Sequence, residues 1–338
     1  MEDIARAAGV SRSTVSRALR NDPRLKAETC ERVRKTAAEL GYRPNPLVAT
    51  LMADLQRKRQ PSSSSTFAFV TAHPTREGWR RQNPSFLDYF EGAKERAASQ
   101  GYVLETFWLR EPGMTAERFT RMLYTRNIRG LLIPPLPRPL GHLSLDWQRF
   151  AAIAIGYTLQ RPDLSRAVAN FYQGIRLALR RLTRLGYRKI GFAIDAGTNQ
   201  RVQHAWLAGY LVFQSGLPVK QRLPAYICPD STGKGIPEWI RAHRPDAIVG
   251  AHNTVLTWLE RAGIRAPQDI GFASLNAGCN ASRPAGIDQQ SRLVGATAVD
   301  LIVGQIHRNE PGLPEHPMLT LVPGVWADGA TLRKLPPP

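Results

Sequence analysis

The sequence predicts a mixed α/β protein that carries a small all-helical unit at its N-terminus. Three observations carry this reading. Residues 1–44 read as short helices joined by tight turns, residues 62–65 are a run of four serines behind Pro61, and beyond Thr66 short apolar runs alternate with amphipathic segments. We therefore divide the chain into a helical unit at 1–44, a connecting segment at 45–66 and a large body at 67–338, whose strand-helix alternation implies parallel sheets.

Within the first unit, residues 2–8 place Ile4, Ala5 and Ala8 on one face and Gly9 ends the helix. Ser11 then caps a second helix over 12–19, with Val15, Ala18 and Leu19 facing inward. A third, over 28–40, lines up Cys30, Val33, Ala37 and Leu40, with Gly41 as its terminator. The Gly-Val-Ser turn between the first two marks a helix-turn-helix. Its second helix turns Arg12, Ser13, Ser16 and Arg17 outward, all of them donors suited to base edges or phosphates. A plain three-helix bundle with a solvated basic face shares this pattern.

The connecting segment opens with Asn45 as a cap and Pro46 at the first helical position. Leu47, Val48, Leu51, Met52 and Leu55 follow on one side, ahead of Arg57, Lys58 and Arg59. No element that follows closely in the chain covers that stripe, and a helix this short is marginal alone. In the body, the strands are expected at FAFVTA, VLETFWL, GLLIPPL, AAIAIGY, KIGFAID, AIVGA and IGFASL, and helices at 86–99, 115–126, 172–185 and 202–215.

The formal net charge of +19 points to a polyanionic partner. Residues 1–66 hold 13 Lys/Arg against 7 Asp/Glu, about twice the mean positive charge per residue of the rest. No apolar run approaches the roughly 20 residues of a membrane span, and no signal-peptide pattern is visible, so a cytoplasmic protein without membrane contact is expected. Cys30, Cys228 and Cys279 are far apart and outside any CxxC spacing, which reads as small buried hydrophobes rather than a disulfide framework or zinc site. There is no HExxH, GxSxG or Gly-rich phosphate loop, and STGKG lacks the GxxxxGK spacing. Seven scattered histidines suggest no metal set. No enzyme, cofactor or metal is expected.

EDIARAAGVSRSTVSRALRNDPRLKAETCERVRKTAAELGYRPN, residues 2–45, closely resembles the DNA-binding headpiece of the lactose/galactose repressor family, through its DIA opening, AGVS turn, TVSRAL helix and ELGYRPN exit. The resemblance implies that Arg12, Ser13 and Arg17 read bases, that Ser11, Thr14, Thr29 and Asn45 hold phosphates or caps, and that the segment after it is a hinge helix whose Leu51 enters the minor groove as a wedge. Docking of the apolar stripe on the large body is the alternative.

The body resembles, more weakly, the same family's two-lobed effector domain, related to periplasmic sugar-binding proteins; RRLTRLGYRKIGFAI and RPDAIVGAHN are its clearest echoes. That implies one lobe at 67–157 and 289–320, a second at 158–288 and 321–338, and a ligand between them at strand ends. Strand-end candidates are His73, Tyr157, His252, Asn253, Asn276 and Gln289. Arg201 and Trp206 compete for one place: counting back from Gly209 puts Trp206 where the family has an arginine, with Arg201 upstream. His252-Asn253 stands where the family commonly shows Asn-Asp, so a carboxylate that pairs with ligand hydroxyls is missing.

The implied function is a sequence-specific transcription regulator, a repressor in kind. It would bind a pseudo-palindromic double-stranded operator as a homodimer, with affinity set by a sugar-like small molecule. The closing residues ATLRKLPPP cannot continue a helix, which is read as favouring a dimer over a tetramer. A soluble two-lobed binding protein and an architectural nucleic-acid binder without sequence preference are the competing classes.

Overall fold

The computed structural model describes residues 2–19, 25–40, 66–278 and 284–333; Asn45, Leu51 and Cys279 lie outside them. The N-terminal unit consists of α1 (Glu2–Ala8), α2 (Arg12–Ala18) and α3 (Ala27–Glu39). Their shared core is Ile4, Ala8, Val15, Ala18, Val33 and Ala37, with Val10, Leu19, Leu25 and Cys30 packed partly against it. Gly9 makes the turn at φ +64°, a left-handed backbone that a side chain would strain. Cys30 is half-buried rather than fully enclosed, because it sits at the rim of this small core.

The body begins with β1 (Thr66–Thr71), so the first strand takes in the last residue expected to be linker. Then come α4 (Gly78–Gln82), α5 (Pro84–Ser99), β2 (Val103–Trp108), α6 (Ala116–Thr125), β3 (Gly130–Ile133), β4 (Gly141–His142), β5 (Ala151–Ile155), β6 (Leu159–Arg161) and β7 (Arg166–Ala169). The second half holds α7 (Phe171–Arg184), β8 (Ile190–Asp195), α8 (Ala196–Arg201), α9 (Ala205–Ser215), β9 (Tyr226–Cys228), α10 (Ile236–His243), β10 (Ala247–Gly250) and α11 (His252–Arg261). The last elements are β11 (Gly271–Ser274), β12 (Gly286–Asp288), α12 (Ser291–Arg308), β13 (Leu319–Val322) and β14 (Val325–Ala327).

Two six-stranded sheets organise these elements, in the orders β13-β7-β5-β3-β1-β2 and β14-β12-β11-β10-β8-β9. Pairing in the first is parallel throughout, and in the second only the β12–β14 pair is antiparallel. Central strands are buried on both faces, which explains why TFAFVT, AAIAI and IGFAID read as continuous apolar runs instead of alternating ones. The chain passes from one sheet to the other three times: after β7, after β12 and after β13.

Those crossings correct the expected lobe boundaries. The first lobe does not end at Tyr157. Residues 157–161 make a small excursion in which β6 pairs with β4, and β7 then rejoins the first sheet, so the crossing comes at Asn170. Likewise Leu321 and Val322 stay in the first sheet because β13 runs in parallel register with β7, Val322 opposite Ala169. Only at β14 does the chain join the second sheet.

One helix-helix contact fixes the first lobe. Asn83 caps α5 by accepting from Ser85 N at 2.9 Å, with Pro84 at the first helical position. That helix lies against α12 so closely that a Cβ on Gly92 would sit 2.0 Å from Arg292 O, and one on Gly295 2.0 Å from Tyr89 O. Among the described residues, no helix is long and apolar enough to cross a membrane.

Candidate DNA-reading helix and interlobe cleft

The second helix of the N-terminal unit is held from both sides. Ser11, in extended backbone geometry, caps it: its Oγ accepts from Thr14 N at 3.2 Å and lies 2.8 Å from Ser13 Oγ and 2.9 Å from Thr14 Oγ1. Underneath, Val15 and Ala18 are fully buried. Outward it presents exposed Arg12 and Ser13 at its N-terminus, where backbone N–H groups favour anions, and half-buried Ser16 and Arg17 in its last turn. Thr29 sits half-buried in the first turn of α3, whose cap position is Lys26 with no side-chain cap bond, so Thr29 is not the cap of that helix.

In the body, Arg201 and Trp206 part company. The helix expected over 202–215 breaks at Val202–His204, where Gln203 and His204 take φ +51° and +58°. Trp206 turns into the second lobe's core at 3 % exposure, edge-on to Phe171 at 5.1 Å. Arg201, at the end of α8, points the other way. Its Nη1 donates to Pro137 O and its Nη2 to Leu136 O, each at 3.0 Å, tying the second lobe to the first just beyond β3. The Phe86 ring lies 5.7 Å from its guanidinium carbon. Burial lowers the Arg201 pKa, against the weaker upward pull of Tyr89 and Asp195.

His73 joins the same place from the end of β1. Its Nε2 lies 2.7 Å from Gln82 Oε1, and Gln82 Nε2 donates to Pro137 O at 3.0 Å, the carbonyl that Arg201 also uses. His73 is 2 % exposed and its Nδ1 has no partner. Burial lowers its pKa; the Gln82 bond opposes this, and the positive charges of Arg201 and Arg110 add to it. A second tie crosses the lobes where Asn276 Nδ2 donates to Ser85 Oγ at 2.9 Å.

The other candidates divide. Gln289 is buried and donates to Leu275 O at 2.7 Å; with Trp206, Phe171 and Asn170 it lines a crevice of about 180 Å³ that has no room for a water molecule. Tyr157 is half-buried, its ring 6.1 Å from Phe171. The backbone of His252 and Asn253 begins α11 behind β10, and their side chains lie outside the described residues. The structure thus gathers His73, Arg201 and Asn276 into one interlobe cluster, and sets Tyr157, Trp206 and Gln289 around Phe171. Sequence reasoning missed Gln82, Ser85, Phe86 and the Leu136 and Pro137 carbonyls. The Asn83-Pro84 helix start was a visible signal for Ser85 and Phe86; nothing local marks a carbonyl as a ligand. A larger groove, about 560 Å³, runs between α6 and Ser144–Arg149, but all its lining residues belong to the first lobe and its polar side chains are mostly exposed. Among the described residues no cluster of His, Cys, Asp and Glu is placed to hold a metal ion.

A helix-turn-helix with a donor-rich second helix, followed by two mainly parallel sheets joined by three crossings, is the architecture of a DNA-binding unit on a periplasmic-binding-protein-like body. The comparisons agree. Residues 1–45 match the family described as bacterial regulatory proteins, lacI family, and residues 179–326 match the periplasmic binding protein-like domain. The chain is 24% identical to the HTH-type transcriptional repressor CytR of Escherichia coli strain K12, over 92% of this chain and 91% of that one. It is 23% identical to the HTH-type transcriptional repressor PurR of Photobacterium profundum, over 90% and 91%. Its fold is shared with the transcriptional regulator CelR in complex with cellobiose, at a TM-score of 0.57, 20% identity and 98% coverage of each chain. A lac repressor dimer bound to operator and the anti-inducer ONPF gives 0.53, 20% and 97% of each. Residues 1–45 thus carry a DNA-binding unit of the kind found in the lacI family of bacterial regulatory proteins, whose members are transcriptional regulators and not enzymes, and the body resembles the effector domain of such regulators.

Proposed function

We propose that this chain is a cytoplasmic, sequence-specific repressor that binds a pseudo-palindromic operator as a homodimer and changes its affinity when a small, sugar-like molecule enters the interlobe cleft. The observation that carries this reading is the capped second helix: Ser11 fixes its start, Val15 and Ala18 anchor its inner face, and Arg12, Ser13 and Arg17 are presented as a rigid donor set. Arg12 and Arg17 suit bidentate contacts to guanine, and Ser13 suits a base edge or phosphate. Ser11 and Thr14 hold the helix start against the phosphate backbone, with Thr29 contributing from α3. The relatives support the finer points: two are named repressors, one structure is a dimer on operator, and another is a complex with cellobiose.

In the cleft, His73, Arg201 and Asn276 are the contacts we assign to the small molecule, with Tyr157, Trp206 and Gln289 shaping its floor, and His252 and Asn253 at the neighbouring strand end. Both lobes contribute, so a ligand that prefers one interlobe arrangement shifts the population of arrangements. Selection of bound duplexes from a randomised pool by the full chain tests the reading. The expected result is a two-fold symmetric motif, bound more tightly than a scrambled duplex at every salt concentration. Recovery of no motif, with equal affinity for selected and scrambled duplexes, would assign the chain to non-specific binding instead.

A further inference from the structure

The chemistry of the cleft narrows its ligand, on the reading that this cleft is the effector site. Arg201 is half-buried, and its five N–H donors meet two neutral main-chain carbonyls and one aromatic face. The carboxylate that acts on it electrostatically, Asp195, is already engaged as the α8 cap, accepting from Thr198 N at 2.8 Å. Beside Arg201, linked through Pro137 O and Gln82, stands His73, fully buried with Nδ1 unpartnered. The remaining polar members, Gln82, Ser85 and Asn276, are neutral.

We infer that the effector is an anion, a sugar acid or similar hydroxy-carboxylate, whose carboxylate takes the Arg201 guanidinium in place of the Leu136 and Pro137 carbonyls. A guanidinium fork matches a carboxylate with two parallel bonds, and such charge-assisted bonds are about twice as strong as those to neutral acceptors. His73 supplies a further donor, since an unpartnered imidazole nitrogen next to an arriving anion gains by carrying a proton. Hydroxyls of the same ligand find Asn276 and Gln82. Because Arg201 belongs to the second lobe and the two carbonyls to the first, the exchange of partners loosens a tie between lobes. A neutral sugar has no charge to compete for that tie.

The test is calorimetric titration of the full chain with D-gluconate, D-galactonate, D-glucuronate and D-galacturonate, beside D-glucose, D-galactose and the matching alditols. At least one acid should bind at least tenfold more tightly than its neutral counterparts, with affinity falling as salt rises. Arg201→Ala should weaken that acid about thirtyfold or more, and Arg201→Lys, which keeps the charge without the fork and guards against a folding defect, should weaken it less. Tight binding of a neutral sugar with no binding of any acid would overturn the inference and leave the cleft as an effector site. No response to either panel would overturn both. Acid binding unchanged by Arg201→Ala would also overturn it.

Discussion

The N-terminal unit and the interlobe cleft are built on opposite length scales. The six core residues of the first lie between Ile4 and Ala37, and its cap bond spans three positions. In the cleft, Arg201 bonds across 64 and 65 positions and Asn276 across 191. The outer face of α2 is therefore a property of one local stretch, while the cleft exists only once two sheets and their crossings are in place. Damage to the body should spare the first unit, and local changes to the first unit should leave the cleft alone.

The largest effect that sharpens this contrast is expected from Gly92→Val. Its side chain would collide with the Arg292 carbonyl where α5 and α12 touch, and only separation of the two helices would make room for it. We expect a loss of about 3 kcal/mol or more from the body. Hydrogen exchange should show the body losing protection while α1–α3 keep theirs; equal loss in both would break the comparison. Next is Ser11→Ala, which removes the cap of α2. The expected cost is about 1 kcal/mol, confined to the first unit and read as faster exchange in residues 12–18. Faster exchange around the cleft would contradict the separation.

A smaller effect follows from His73. Its folded-state pKa is lowered by burial, so the unfolded chain takes up the proton first. Stability is fully present above the unfolded value of about 6.5 and falls as pH drops through it toward the folded value. Urea midpoints of the body should therefore fall between pH 7.5 and 5.5, and His73→Gln should flatten part of that slope. The rest belongs to groups such as His307, also lowered by burial. An unchanged slope would show that His73 is not carrying a proton penalty.

The legibility of the sequence follows the same division. The three short helices, their Gly9 turn and the Ser11 cap depend on neighbours within a few positions, and the structure places them within a residue or two of where periodicity puts them. The long apolar strands were equally visible because both their faces are buried. Short strands such as β7, β9 and β12 were not, since RAVA, YIC and GID lack the dense aliphatic run of similarly short strands such as GLLI and AIVG, and their pairing partners are distant. That omission misplaced the first crossing. In the cleft, His73 and Asn276 were found as strand ends, but the choice between Arg201 and Trp206 stayed open. The left-handed turn at Gln203 and His204 separates the two, sending Trp206 into the second lobe's core and Arg201 to the Leu136 and Pro137 carbonyls. Neither Gln203 nor His204 advertises positive φ.

The central claim is that the outer face of α2 reads base sequence, and one ratio tests it most directly. Dissociation constants of wild type and Arg17→Ala should be compared on a selected duplex and on a random one, at a single salt concentration. Loss of a bidentate guanine contact predicts about 1 to 3 kcal/mol weaker binding to the selected duplex, with preference flattened at one base pair per half-site and little change on random DNA. Equal weakening on both duplexes would make Arg17 a phosphate contact and contradict the assignment.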